Sequence, residues 1–190
     1  MATSKTSYRL FLRPSPRTPM AKARKIEKVL CFALVKAVSN FRPRWGTQIQ
    51  FFFYRRWGVR FNGRPNYLSS RIWLDGTDYS LIHIGNEVTI SSYVRILTHD
   101  WALHTVAKAF GIPQPTPLGK ILPVRIGDYT FIGTGTILMP GCDIGKACIV
   151  AAGTVVRGKV PDFSIYGGSP GRILGDTREY MRRQGIGQEL

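Results

Sequence analysis

An aliphatic residue returns every six positions along the middle of the chain, at Ile126, Ile132, Leu138, Ile144, Val150 and Val156. Four places after each comes a small residue: Thr130, Thr136, Cys142, Cys148, Thr154 and Val160. One place after stand Gly127, Gly133 and Gly145, drifting elsewhere to Met139, Ala151 and Arg157. A helix repeats near 3.6 residues and a strand at two, so neither carries a period of six. The period suits a short strand, a turn, and a second strand on a new face. Three such faces close one coil of eighteen residues, and a pile of coils is held by contacts between neighbours. In this register Ile126 stacks on Ile144, Ile132 on Val150 and Leu138 on Val156. The recurring glycines are expected where the strand turns and φ must be positive.

The same phase runs upstream through Ile84, Ile90 and Ile96, with Gly85 and Ser91 one place on and Val88 and Val94 four places on. Ile72 lies two units before Ile84, which predicts a ragged first coil around residues 71–83. After Ile96 the pattern stops, and it resumes at Ile126. An insertion in a solenoid leaves it as a loop on one face, and such loops carry function. This one, residues 97–125, holds His99 and His104, two of the three histidines in the chain. The expected organisation is a basic extension over residues 1–70, a repeat domain over 71–168 interrupted by 97–125, and a tail with a short helix over 169–190.

Charge divides the chain. The net charge is +16, yet residues 1–71 hold 16 Lys and Arg against the single acid Glu27, and the remainder is nearly neutral. Residues 1–20 are rich in Ser, Thr, Pro and Arg and are expected to be disordered. Ile26, Val29, Leu30, Ala33, Leu34, Ala37 and Val38 then recur at helical spacing, with Lys22, Lys25 and Lys36 off that stripe. A stretch dense in arginine and aromatics follows to Phe61. Residues 21–60 either dock on an anionic membrane surface or pack their apolar stripe against the solenoid or a neighbouring subunit. A nucleic-acid partner is not expected, because no recognised motif accompanies the basic patch.

Cys31, Cys142 and Cys148 form neither an even framework nor a CxxC pair, which points to a reduced, cytoplasmic protein. Cys142 and Cys148 occupy the small slot of adjacent repeats and read as core residues. No apolar run reaches the roughly 18 residues of a membrane span, and no signal-peptide core precedes the proline-rich start. The protein is expected in the cytoplasm, peripheral on the inner face of the membrane.

The run "PVRIGDYTFIGTGTILMPGCDIGKACIVAAGTVVRGKVPDFSIYGGSPGRIL" resembles the hexapeptide-repeat acyltransferases, in particular the branch of maltose/galactoside and capsular-polysaccharide O-acetyltransferases. Repeat, interruption and the ending Gly167-Gly168-Ser169-Pro170-Gly171-Arg172-Ile173 come in that order over roughly residues 71–175. The resemblance implies a mainly β fold: a left-handed parallel β-helix with a partly helical N-terminal extension and a short C-terminal helix. It also implies a homotrimer, with acetyl-CoA as co-substrate in the groove between two prisms and no metal. The left hand departs from the usual crossover preference, so the period alone does not supply it.

The family places a histidine at the start of the interrupting loop as general base, and His99 in "ILTHD" matches it. The chemistry is reasonable in itself, because an alcohol is a poor nucleophile at neutral pH and imidazole, with a pKa of about 6.5, is suited to removing its proton. A backbone N–H near the thioester would stabilise the oxyanion. Asp100 or a backbone carbonyl orients the ring. Trp101 and His104 are the candidates for contact with a sugar or glycan acceptor, a plain loop residue being the favoured reading of His104; His83 reads as an outward, solvated side chain. For acetyl-CoA the matching positions are Phe131, Thr134, Ala152, Arg157, Gly158 and Arg172. The family often has Trp in place of Phe131 and Thr-Lys in place of Arg157-Gly158, which moves the positive charge. Two other readings are weighed. His99 and His104 have the five-residue separation of two zinc ligands in the γ-carbonic anhydrases, but His83 lies too close in sequence to be the third. The other is a β-helix scaffold without activity.

Overall fold

The six-residue period folds into a three-sided prism in the computed structural model, which describes residues 19–75, 78–113 and 118–187. The first face stacks Arg60–Phe61, Ile82–Ile84, Val124–Ile126, Asp143–Ile144 and Lys159–Val160 in parallel. The second stacks Tyr67–Leu68, Thr89–Ile90, Phe131–Ile132, Ile149–Val150 and Ser164–Gly168; the third stacks Trp73–Leu74, Arg95–Ile96, Ile137–Leu138 and Val155–Val156. The architecture is a left-handed parallel β-helix.

The pairing follows the sequence. Ile126 lies opposite Ile144, Ile132 opposite Val150 and Leu138 opposite Val156. The ladder also bridges the insertion, joining Ile84 to Ile126, Ile90 to Ile132 and Ile96 to Leu138. All these side chains are buried along the prism axis. Each contributes about 1.5–3 kcal/mol of apolar burial. Thr130, Thr136, Cys142, Cys148 and Thr154 fill the corners between faces and are buried as well. Burial pushes the Cys142 thiol up to about 12 and raises that of Cys148, consistent with core packing rather than reactivity.

Five departures from the sequence reading follow. The ladder begins at Arg60 rather than residue 71, because longer coils at that end place Phe61, Leu68 and Leu74 under Ile84, Ile90 and Ile96. Ile72, expected in the stacking column, is displaced from it by Leu74 and is buried beside it. Val160 stacks on Ile144 instead of filling a corner, because the last coil drops two residues near Gly158, which turns at φ 66. On the second face the chain runs past residue 168 into an antiparallel strand, Gly171–Asp176, and then a short helix, Thr177–Arg183.

The glycines are the fifth. Positive φ falls three places after the aliphatic, at Tyr129, Gly135, Gly141, Ala147 and Gly153, and not at the glycine one place after it. Gly127 and Gly133 answer to close approach instead. A Cβ on Gly127 would sit 2.5 Å from the carbonyl carbon of Gly145, and one on Gly133 2.5 Å from the amide nitrogen of Ala152. The backbones of neighbouring coils pass too near for any side chain.

Two helices, α1 (Pro19–Phe41) and α2 (Pro43–Trp57), form a hairpin ahead of the first strand. Proline at the start of α2 fits the first helical turn, and Gly58 at φ 113 closes it. Thr47, Gln50 and Tyr54 of α2 are buried against the first coil. Gln50 Nε2 donates to the Ser69 carbonyl (2.9 Å), and the Leu68 N–H donates to Thr47 Oγ1 (3.1 Å). The hairpin thus caps the open end of the solenoid. On α1 only Cys31 and Val35 are fully buried among the described side chains, while the predicted stripe through Ile26, Val29, Leu30 and Leu34 faces outward. Packing of α1 against α2 therefore uses a different face of α1 from the one its periodicity marks.

Candidate functional site

His99 lies at the neck of the insertion. The chain leaves the third face after Ile96, and His99–Asp100 pairs antiparallel with Lys120–Ile121, so the two ends of the loop are tied together. The Leu122 N–H also donates to the Thr98 carbonyl at 3.0 Å. Between the ends lies a helix, α3 (Ala102–Ala109), and regular pairing resumes at Val124. The backbone on both sides of His99 is therefore held by the ladder.

The ring is oriented by a residue the sequence did not indicate. His99 Nδ1 lies 2.8 Å from Asp75 Oδ2, with the carboxylate mostly buried and the ring about a third exposed. Asp75 follows Trp73–Leu74, the strand stacked beside Arg95–Ile96 on the third face, so adjacent coils place it next to His99. Asp100, one of the two expected partners beside a backbone carbonyl, instead accepts the Ala102 N–H at 2.8 Å at the start of α3. An Asx contact of this kind is the ordinary use of aspartate before a helix. With Nδ1–H donating to Asp75, the basic nitrogen of a neutral ring is Nε2, and no hydrogen bond to it is found among the described residues.

Trp101 stands beside this ring, centroid 5.8 Å away, and packs closely over the backbone of Gly119. His104 sits on α3, its Nδ1 buried without a hydrogen-bond partner among the described residues. His83 lies elsewhere, on the first face between Arg60 and Arg125. Burial and then those two guanidiniums push its pKa down, favouring the neutral ring. Among the described residues of one chain no three His, Cys, Asp or Glu side chains converge as metal ligands.

The remaining candidates occupy two edges of the prism. Thr134 and Ala152 stack on consecutive coils at the turn between the second and third faces, both exposed, with the Gly153 N–H donating to the Thr134 carbonyl (2.8 Å). Phe131 projects from the second face, half-exposed. Arg172 lies on the antiparallel strand beside that face, opposite Gly167. Arg157 and Gly158 lie instead at the turn from the third face to the first, the edge on which His99 also stands. Arg157 and Arg172 are exposed and in no ion pair among the described residues. One chain thus brings together His99, Asp75 and Trp101 but sets Thr134 and Ala152 on a different edge.

The Asp75 contact gives a prediction. In Asp75→Asn the side-chain amide can donate to Nδ1 and move the ring proton to Nε2, the wrong tautomer for a base there. Turnover by His99 should fall by about 10–100-fold or more, while KM for an acyl donor bound along the prism changes little. Steady-state kinetics on the variant separate this from a structural role, which would move both constants and the melting temperature.

The family described as bacterial transferase hexapeptide, six repeats, matches residues 123–158. Protein CapG of Staphylococcus aureus is 36% identical over 126 residues, covering 66% of this chain and 70% of CapG. YvoF of Bacillus subtilis, whose name places it among acetyltransferases, is 34% identical over 102 residues, 54% of this chain. The match spans only about half, 52%, of that relative's length. Among solved structures, a galactoside acetyltransferase in complex with coenzyme A superposes with a TM-score of 0.55 at 18% identity, covering 91% of this chain and 88% of that one.

Proposed function

Because the chain belongs to the family of bacterial hexapeptide-repeat transferases, we propose that it moves an acetyl group from acetyl-CoA to a hydroxyl of a sugar or glycan, with His99 as general base. The observation that carries this reading is the His99–Asp75 pair at the neck of the loop, 2.8 Å apart, with Nε2 left as the basic nitrogen. A base so held takes the proton of an acceptor hydroxyl as its oxygen becomes the nucleophile. Acetyl-CoA supplies the activated acyl thioester. The oxygen–carbon bond forms as the carbon–sulfur bond breaks, and the proton collected by His99 returns to the departing thiolate. Direct attack needs no acyl-enzyme, and the buried Cys142 and Cys148 are not placed to form one.

The prism edges suit a CoA molecule lying along them. Thr134 and Ala152 present small, exposed surfaces on successive coils, where a pantetheine arm can approach the backbone. Arg157 and Arg172 supply exposed guanidiniums for the phosphates. The solved relative that shares this fold holds coenzyme A. Trp101 and His104, on the loop beside His99, are the proposed acceptor contacts.

Because Thr134 and His99 stand on different edges, a complete site needs a second prism, and we assign a homotrimer as the active species. Sedimentation should therefore show three chains per particle, with acetyl transfer lost on dilution to monomer; a fully active monomer would contradict it. The chemistry is tested by incubating the protein with acetyl-CoA and panels of soluble and lipid-linked glycans, followed by mass spectrometry. A gain of one acetyl group on an acceptor is expected, and failure to bind CoA at all would leave a scaffold as the better reading.

A further inference from the structure

Helix α1 is apolar on two faces, and only one is used. Cys31 and Val35 are buried toward α2, where Ser39 packs directly on Gly46. The other face exposes Ile26 at 62%, Val29 at 67% and Leu30 at 64% of their surface, with Leu34 beside them. Phe41 and Trp45, at the bend between the helices, are 84% and 68% exposed, and Phe52 of α2 is exposed too. Apolar side chains left open together on one helix face mark a docking surface.

We propose that the α1–α2 hairpin docks on an anionic lipid surface, lying in the plane of the headgroups. Charge selects that occupant. Residues 19–57 contain nine Lys and Arg and one acid, Glu27. Glu27 is already paired with Arg56 at 2.7 Å, and Lys28 is committed to Trp57 and Tyr79. Lys36, Arg42 and Arg44 are exposed and in no ion pair among the described residues. A second copy of the hairpin would bring the same cations with no acidic complement, whereas anionic headgroups supply that complement along with an apolar layer beneath. Tryptophan and phenylalanine at the bend suit the boundary between the two. No described helix is long and apolar enough to cross a membrane, so the mode is interfacial. Docking would bring the prism to lipid-linked acceptors, but it does not depend on what the prism catalyses.

The test is co-sedimentation of the full chain with phosphatidylglycerol/phosphatidylcholine vesicles and with phosphatidylcholine alone. Binding should be at least tenfold tighter on the anionic vesicles and weaken as salt shortens the Debye length from about 30 Å to about 8 Å. Each basic residue near such a surface is worth a factor of about five, so Arg42→Gln with Arg44→Gln should weaken binding by about 30-fold. Leu30→Asp should weaken it at least tenfold while the thermal melt stays unchanged, because Leu30 touches solvent in the folded chain. Equal binding to both vesicles would overturn the electrostatic part. No vesicle binding, with a particle mass that falls in Leu30→Asp, would make the stripe a contact between subunits and overturn the proposal. Acetyl transfer to a soluble acceptor is measured alongside and should survive these variants, so failure here is distinguishable from failure of the catalytic reading.

Discussion

Replacing His99 with alanine is expected to lower kcat for acetyl transfer by roughly 10²–10⁴-fold, the usual contribution of a positioned acid/base group. The magnitude follows from the neck of the loop. His99 is held by backbone pairing to Ile121 and by Asp75 at Nδ1, so its geometry is fixed before substrate arrives. Removing the ring removes a base already in place, and solvent cannot restore one in the same position. Folding should be little affected, because His99 lies outside the buried column. His104→Ala should cost far less, since His104 sits on α3 and is not the ring held by Asp75. Kinetics and a thermal melt on both variants decide the matter. Equal loss in the two, accompanied by loss of bound zinc, would overturn general-base transfer and restore the zinc reading.

Leu138→Ala is expected to be the most damaging conservative change to stability. Leu138 is fully buried and stacked between Ile96 on one coil and Val156 on the next. Truncation removes contacts with both coils at once, and the backbone ladder on either side restricts collapse into the gap. Leucine-to-alanine changes of this kind cost about 2–5 kcal/mol. In a chain of this size each kcal/mol lowers Tm by about 2–4 °C. Leu138→Met, which nearly conserves volume, should cost less than about 1.5 kcal/mol. Denaturant unfolding at one protein concentration would show it as a lower midpoint with unchanged slope. A loss below about 1 kcal/mol for the alanine variant would mean that neighbouring coils, not this column, carry the stability.

The column itself was legible because a six-residue period is a local property of the chain. Once each unit is a strand and a turn, Ile126 has little choice but to meet Ile144, and the same rule places Ile132 and Leu138. The interruption was legible for the same reason, and with it the position of His99. Charge placement was visible too, since 16 of the 27 basic residues fall in the first 71 positions. The glycines are marked by the repeat, but the repeat does not reveal their cause. Positive φ and close approach leave the same letter in the sequence, and only the spacing between stacked backbones tells them apart.

What the sequence could not fix depends on how far the chain travels before it returns. Asp75 meets His99 because an irregular coil, longer than the eighteen-residue ones, brings Trp73–Leu74 beside Arg95–Ile96. No local spacing encodes that length, and neither nearby Asp100 nor a backbone carbonyl, the two partners the sequence suggests, takes the ring nitrogen that Asp75 holds. Helix α1 presented a similar choice. Its periodicity identified an apolar stripe, yet the face that packs is the one holding Cys31 and Val35, chosen by where α2 crosses at Gly46. Sequence by itself determined the repeat, the core column and the place of the candidate base. The tertiary structure decided which carboxylate holds that base and which apolar face stays open, because both are contacts between segments whose separation no short-range pattern records.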